Sequence, residues 1–453
     1  MKAKNILGTA ALGLALLTAA QAQTTIEITG ASAFRKATLE AIKTLYTNGG
    51  SFKYAHSSSS GNLTSSTRAI FQGTFPGITG TTTIRTNFTG SVEGIRALAL
   101  GNSFNVTYLN PSVVSGAVAS SSGTEVASQS TTDAAAQAEF AFSDVSKDST
   151  PLASSTLLGG NIGVVAFSMV ANEGAPARLT NVSSKQFQAL FQGGFLPASV
   201  LTGNASDSTV KVYATGRNDG SGTRTTYMAE TGTGITTLVN QFVTNDNSNF
   251  TSTTGTGSIL RIYKVPAQGH GNGTLTNRAG YVSSGNMTGG SASDASTIWG
   301  QDLPGNGGYN SGSTLVKHLG YTSSNTEVVD ADGTTLEQAA PIALVTFLAT
   351  ADAITARTNG AVILGYNGVT LSGIAGGDQE LSASDKEKIT TGAYTAWSYQ
   401  QFYRRNDITS GNALVAYNAI AAAIPAAIDA TSSGVKLADM NVSRGFDGGP
   451  VAP

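Results

Sequence analysis

Seven consecutive residues, Arg217-Asn218-Asp219-Gly220-Ser221-Gly222-Thr223, gather three kinds of anion-binding group in one place. A guanidinium offers a planar fork of donors, hydroxyls offer rotatable ones, and glycines let backbone N–H groups approach a ligand with no Cβ in the way. That chemistry suits a phosphate-like oxyanion. At the start of a helix the same N–H groups also carry the positive end of the helix dipole. An ordinary Gly/Ser turn is the competing reading of these residues, so the elements around them decide which applies.

Short apolar strands alternate with helical patterns along the chain. Val210 to Ala214 reads as a strand leading straight into the Arg217 to Thr223 loop, and Thr225 to Glu230 as the helix after it. Thr25 to Thr29 reads as a strand, Gly30 and Ala31 as a turn, and Ser32 to Tyr46 as a helix facing inward with Phe34, Ala37, Ala41, Ile42 and Leu45. A second strand, Thr82 to Phe88, runs through Thr89-Gly90-Ser91 into a helix over Val92 to Leu98, with Ser91 placed as its N-cap. Ala138 to Phe142 is a further strand, ending at Ser143-Asp144. Asp144 therefore leaves at a strand's carboxyl end, where ligand-binding loops of open α/β sheets lie.

Later in the chain, Ile162 to Val170 is an apolar strand. Ser183 with Gln186 three residues on makes a capping box for a helix carrying Phe187, Leu190 and Phe191, which Gly193-Gly194 ends. Ala361 to Tyr366 reads as a buried strand, and Leu414 to Ile428 as an Ala-rich helix broken near Pro425. The glycine-rich stretches 268–290 and 301–313 read as long surface loops.

Composition narrows the function classes. Lys2 and Lys4 precede an apolar run from Ile6 to Ala20, and Ala20-Gln21-Ala22 supplies a small-x-small cleavage pattern, so residues 1–22 are expected to be a signal peptide. No later segment offers about 20 unbroken apolar residues, and there is no lipobox cysteine, so the mature protein is expected to be soluble. The chain has no cysteine at all, which excludes disulfides and thiolate metal sites and suits a Gram-negative periplasm. A net charge of −2 with 12% charged residues provides no basic field for nucleic acid. His56, His270 and His318 lack metal-ligand spacing and read as incidental loop or surface residues, so no metal and no cofactor are expected. Ser221 sits in Asp-Gly-Ser-Gly, but position 219 is not glycine and no histidine follows in persuasive context; an enzyme is not expected.

The order of these segments resembles the periplasmic phosphate-binding proteins of ABC transporters, within the type 2 solute-binding proteins. The resemblance rests on Gly30-Ala31-Ser32-Ala33-Phe34, Thr89-Gly90-Ser91-Val92-Glu93-Gly94-Ile95, Phe142-Ser143-Asp144, the Leu179 to Gly193 segment and Arg217 to Thr223. Gly365-Tyr366 and Trp397-Ser398-Tyr399 look like later landmarks. It implies that Arg217 donates to ligand oxygens with Asp219 pairing to orient it, and that Ser221, Gly222 and Thr223 donate from hydroxyl and backbone. On the facing lobe it implies donors at Ser91 and the Phe34 backbone, and an acceptor at Asp144. The last role has a physical reason: phosphate near neutral pH keeps a proton whereas sulfate does not, so a buried carboxylate accepts from one and repels the other. The family usually has a hydroxyl residue directly before the aromatic of the first motif. Here Ala33 stands there, with Ser32 one position earlier, and Arg35-Lys36 and Arg224 are extra cations.

The expectation is a two-lobed α/β binding protein of the type 2 periplasmic class, with the ligand in the cleft. Lobe 1 is expected to hold 24–158 and 361–453, and lobe 2 159–360. By resemblance the partners are phosphate or a related oxyanion and an inner-membrane ABC permease, and the protein is expected to be a periplasmic monomer. A surface or structural protein built on the same fold, suggested by the Ser/Thr/Gly-rich insertions, is the alternative.

Overall fold

The computed structural model describes residues 23–57, 62–127, 133–244, 260–264, 308–309, 311–316, 319, 326–329, 335–340, 342–376 and 381–453. The expected signal peptide, most of the glycine-rich loops, His270 and His318 lie outside the described residues.

The fold is α/β and two-lobed, built on one long mixed sheet. Its strands run in the spatial order 195–197, 211–214, 342–349, 158–171, 397–404, 140–143, 24–30, 78–87, 68–75, 52–56 and 124–127. In the first lobe, Thr24–Gly30 lies between Ile78–Asn87 and Phe140–Ser143, parallel to both. Parallel neighbours need crossover connections. Here the two crossovers are made around α1 (Arg35–Gly49) and α2 (Ser91–Leu100). All three strands therefore end on the same side, and the loops after Gly30, Asn87 and Ser143 gather there. Gly30 is required at this point: its φ is 111°, and a Cβ would overlap the Phe142 carbonyl.

The second lobe repeats the principle with α3 (Ser184–Gly193) and α4 (Gly222–Glu230), the latter following the strand Lys211–Ala214. The capping box of α3 is present in full, and Gly194 ends the helix in the left-handed conformation. The short α5 (Gly312–Val316) packs near α6 (Thr350–Thr358), which follows directly on the strand Ile342–Ala349.

Two large apolar cores lie on either side of the expected cleft. The first joins Ile26, Ile28, Ile42, Phe71, Ile84, Phe142 and Phe402 to Ile420 and Ile424 of the C-terminal helix α7 (Gly411–Thr431). The second joins Val165 to Ala171, Phe187, Phe191, Tyr227, Val345 and Phe347. The long antiparallel pair Leu158–Ala171 and Trp397–Arg404 passes from one core to the other, with Phe402 in the first and Trp397 in the second.

The structure differs from the sequence reading at four places. Residues 361–397, expected in the first lobe, contribute Ala361, Leu364, Tyr366, Tyr394 and Trp397 to the second core, because Val362–Tyr366 pairs with both 181–182 and 158–171. The C-terminal segment follows, with Leu437, Val442 and Val451 packed against the same core. The helix α7 runs unbroken through Pro425. Proline costs an interior helix roughly 3 kcal/mol, and here Ile420, Ile424, Ala427 and Ile428 are buried against the first core on the opposite face, which offsets it. That helix is also long and apolar enough by length and composition to cross a membrane, which the sequence reading did not credit. His56, expected at the surface, is buried beside Glu125, on the strand that pairs with its own.

Candidate functional site

Two helix N-termini from opposite lobes face one another across a single carboxylate. On the first side, the Ile78–Asn87 strand ends in Thr89-Gly90, and the Gly90 N–H donates to Gly30 O at 2.9 Å, which fixes the start of α2 against the neighbouring strand. Gly90, with φ 129°, is the N-cap, and no side chain caps the helix. This corrects the expected cap role of Ser91. Ser91 is the first helical residue, and its hydroxyl is turned instead to Asp144 Oδ1. The same hydroxyl accepts the Asp144 backbone N–H at 3.3 Å, so Ser91 and Asp144 are locked together by two bonds.

On the second side, Ser221 is the N-cap of α4, its side chain accepting the Arg224 N–H at 3.3 Å. The helix begins three residues earlier than expected, at Gly222, so Gly222 and Thr223 form its first turn. Thr223 Oγ1 donates to Asp144 Oδ2 at 3.4 Å, and one turn on Thr226 Oγ1 donates to Asp144 O at 3.2 Å. Ser398 Oγ, from the strand Trp397–Arg404, donates to the same carbonyl at 2.6 Å. The lobes also meet directly where the Val92 N–H donates to Gly220 O at 3.2 Å. Asp144 is therefore held at once by the first residue of α2, by the first turns of α4 and by the strand Trp397–Arg404.

Gly222 explains why the loop must carry glycine there. A Cβ at position 222 would overlap Asp144 Oδ1 and crowd the Ser91 side chain. Gly222→Ala should accordingly push the two helix N-termini apart: we expect an increased radius of gyration in small-angle scattering and a stability lower by about 1–3 kcal/mol, the usual cost of overpacking a filled place. An alanine variant as compact as the parent would refute this.

Arg217 is buried at 3% exposure. Its backbone is laddered to Tyr309, with the Tyr309 N–H donating to Gly216 O at 2.9 Å and the Asn218 N–H to Tyr309 O at 3.0 Å. Its Nε donates to Tyr309 O at 3.1 Å, while its own carbonyl accepts from Gln241 Nε2 at 3.0 Å and Arg224 Nη1 at 3.2 Å. Burial lowers the Arg217 guanidinium to about 10, opposed by the charges of Asp352 and Asp144, with Arg35 adding to the lowering. Arg224 is likewise lowered to about 10 by burial, opposed by Asp219. Asp219, half-buried, is among the charges that act on Arg224, and Asp352 and Asp144 are among those that act on Arg217.

Burial pushes the Asp144 carboxyl up to about 6, a rise that the Ser91 hydroxyl, the Arg217 charge and the Thr223 hydroxyl each oppose. A group poised there is mostly ionised at pH 7 and mostly protonated at pH 5, so it accepts a hydrogen bond in the first state and can donate one in the second.

The structure brings together Ser91, Asp144, Arg217, Ser221, Gly222 and Thr223, with Asp219 at the edge. Phe34 occupies the N-cap position of α1 without capping it by a side-chain bond; its ring is fully buried in the first core, and Ser32 lies half-buried in the preceding bend. Sequence reasoning missed Tyr309, Gln241, Thr226, Ser398 and Asp352. Of these only Thr226 carried a local signal, lying one helical turn beyond Thr223; the others approach from distant segments.

No family model and no curated protein sequence matches this chain. Three solved structures are similar to it at low identity. One, from Clostridium perfringens, is assigned as a phosphate ABC transporter substrate-binding protein and was solved with bound phosphate; it is 9% identical, with a TM-score of 0.41, covering 91% of this chain and 100% of that one. An ABC-type phosphate transport receptor from Vibrio cholerae is 12% identical, with a TM-score of 0.40, covering 90% of this chain and 98% of the other. A possible phosphate binding protein from Planctomyces limnophilus is 8% identical at a TM-score of 0.37, covering 91% and 93%.

Proposed function

We propose that this chain is an exported solute-binding protein that captures phosphate or a related oxyanion between its lobes for delivery to an inner-membrane ABC permease. The observation that carries the reading is the convergence of two helix N-termini and a buried arginine, from opposite lobes, on one buried carboxylate. Helix N-termini and a guanidinium supply donors and positive potential for an oxyanion. The carboxylate supplies the discriminating element: ionised Asp144 accepts from a protonated oxyanion and repels a fully ionised one. No step of covalent chemistry is invoked, because binding and lobe closure suffice for the proposed role.

A ligand that engages Ser91 and Asp144 on one lobe and Arg217 to Thr223 on the other binds the closed form better and shifts the population toward it. Native mass spectrometry of freshly purified protein is expected to show a stoichiometric oxyanion. After stripping, the melting temperature should rise with phosphate concentration by mass action, and the radius of gyration should fall at saturation. If phosphate, sulfate and a simple phosphate ester all leave both quantities unchanged, the receptor reading fails and a surface or structural role on this fold replaces it.

A further inference from the structure

Residues 443–452 close on themselves into a small loop: the Ser443 N–H donates to Ala452 O at 2.7 Å and the Ala452 N–H to Ser443 O at 3.0 Å. Two charged residues of this loop, Arg444 and Asp447, are buried. Arg444 Nη1 donates to Glu230 Oε2 at 3.0 Å, at the last residue of α4, and its Nη2 donates to Thr395 O at 2.8 Å. Its guanidinium also lies 4.1 Å from the centre of the Trp397 ring. Gly448 rests on the residue before Glu230, where a Cβ would overlap the Ala229 carbonyl group.

Asp447 makes a different attachment. Its Oδ2 accepts the Ser146 N–H at 2.8 Å, two residues after Asp144. The next amide, the Lys147 N–H, donates to Tyr403 Oη at 3.1 Å. The loop therefore ties the far end of α4 to the segment that leaves Asp144. The near end of that helix meets the Asp144 carboxylate itself, through Gly222 and Thr223. Ser146 and Asp447 are 301 residues apart in the chain, so no local motif announces the bond.

We propose that Asp447 is a positioning residue of the oxyanion site: through the Ser146 N–H it holds the segment after Asp144 in place relative to α4, so that the carboxylate meets the first turn of that helix. The inference rests on the binding function proposed above.

The test uses the full-length protein, inorganic phosphate and two variants. Asp447→Ala removes the acceptor, whereas Asp447→Asn keeps a side-chain oxygen that can accept the same N–H. Arg444 is left intact, since its removal would strand Glu230 as an unpaired buried charge and destabilise the fold for that reason alone. Carboxyl NMR of the ligand-free proteins should show the Asp144 titration midpoint lower in Asp447→Ala than in the parent. Burial is the largest cause of its raised value, outweighing Ser91, Arg217 and Thr223, and a loosened segment admits water. Asp447→Asn should restore the parental midpoint. Calorimetry at pH 7 should show phosphate affinity lower by about tenfold or more in the alanine variant, the scale expected when a binding group is misplaced, and close to parental in the asparagine variant. A loss of stability alone would lower the melting temperature without moving the midpoint of the folded protein. An unmoved midpoint in Asp447→Ala, or an equal shift in Asp447→Asn, would overturn the inference. Parent protein that binds no phosphate defeats the receptor reading instead, while the ligand-free Asp144 midpoint still decides the role of Asp447. Should Asp447→Ala not fold, Asp447→Glu takes its place: the added methylene displaces the acceptor, and an Asp144 midpoint that stays parental overturns the inference.

Discussion

Replacing Arg217 with lysine is expected to weaken oxyanion binding by roughly 1.5–3 kcal/mol, the worth of one charge-assisted hydrogen bond. The charge survives the substitution but the planar fork does not. Arg217 donates Nε to Tyr309 O at 3.1 Å, and this bond fixes the plane of the guanidinium. An ammonium is a single donor cluster on a flexible stem, and it cannot satisfy the Tyr309 carbonyl and a bidentate ligand at once. It is also more easily neutralised by burial, which already lowers the arginine to about 10. Isothermal titration with phosphate at pH 7 is the measurement. A folded Arg217→Lys protein with the parent's isotherm would remove Arg217 from the site.

Asp144→Asn is expected to preserve the fold and change which anion is preferred. At pH 7 the parent carboxylate is mostly ionised, since its value lies at about 6, and it disfavours an anion with no proton to donate. An amide can turn its NH₂ toward such an anion, so sulfate should gain on phosphate by about tenfold or more, again one charge-assisted bond. Lowering the pH should do to the parent what the substitution does at all pH values: sulfate affinity rises as pH falls through about 6, and the asparagine variant lacks that step. The groups acting on Asp144 in this titration are Arg217, Ser91 and Thr223. For stability the sign follows from the raised value. The folded protein holds the Asp144 proton more tightly than the unfolded chain, whose ordinary value is 3.8. The resulting stabilisation is fully present below that value and is lost as pH rises through about 6. Denaturation of the ligand-free proteins at pH 5 and pH 8 should therefore show a smaller loss for the variant than for the parent. A variant that keeps the parent's phosphate-to-sulfate ratio would show that Asp144 is not the discriminating acceptor.

What was legible in the sequence was local. The Arg217 to Thr223 loop announces itself because seven adjacent residues carry the donors. The capping box of Ser183 and Gln186 and the stop at Gly194 could be read because a cap and its helix lie within four residues of each other. The strands ending at Gly30 and Ser143 could be read from short apolar runs closed by small residues, and their ends put Asp144 at the loop side of the sheet.

Where local preference competes with packing, the sequence misleads. Pro425 predicts a broken helix, yet with one face of α7 buried the helix continues through it. Ser91 looks like a cap by residue type, but its oxygen accepts the Asp144 N–H while its proton goes to the Asp144 carboxylate, and Gly90 takes the cap position instead. His56 carries no sign of burial in its own neighbourhood, because the strand that brings Glu125 beside it arrives from 69 residues away.

By itself, then, the sequence determined the chemistry available to this protein: a guanidinium, hydroxyls, glycine N–H groups and a strand-end carboxylate, each placed at the mouth of its own element by rules that act over a few residues. Only the tertiary structure decided which of these groups meet. The two helix N-termini converge on Asp144 from segments far apart in the chain, and Gly222 is required only because Asp144 lies against it from one of them. Asp144 and Asp352 are among the charges that act on Arg217, and residues 361–397 join the second core through strand pairing. Charge interaction and sheet pairing depend on distance in space, which separation along the chain does not encode.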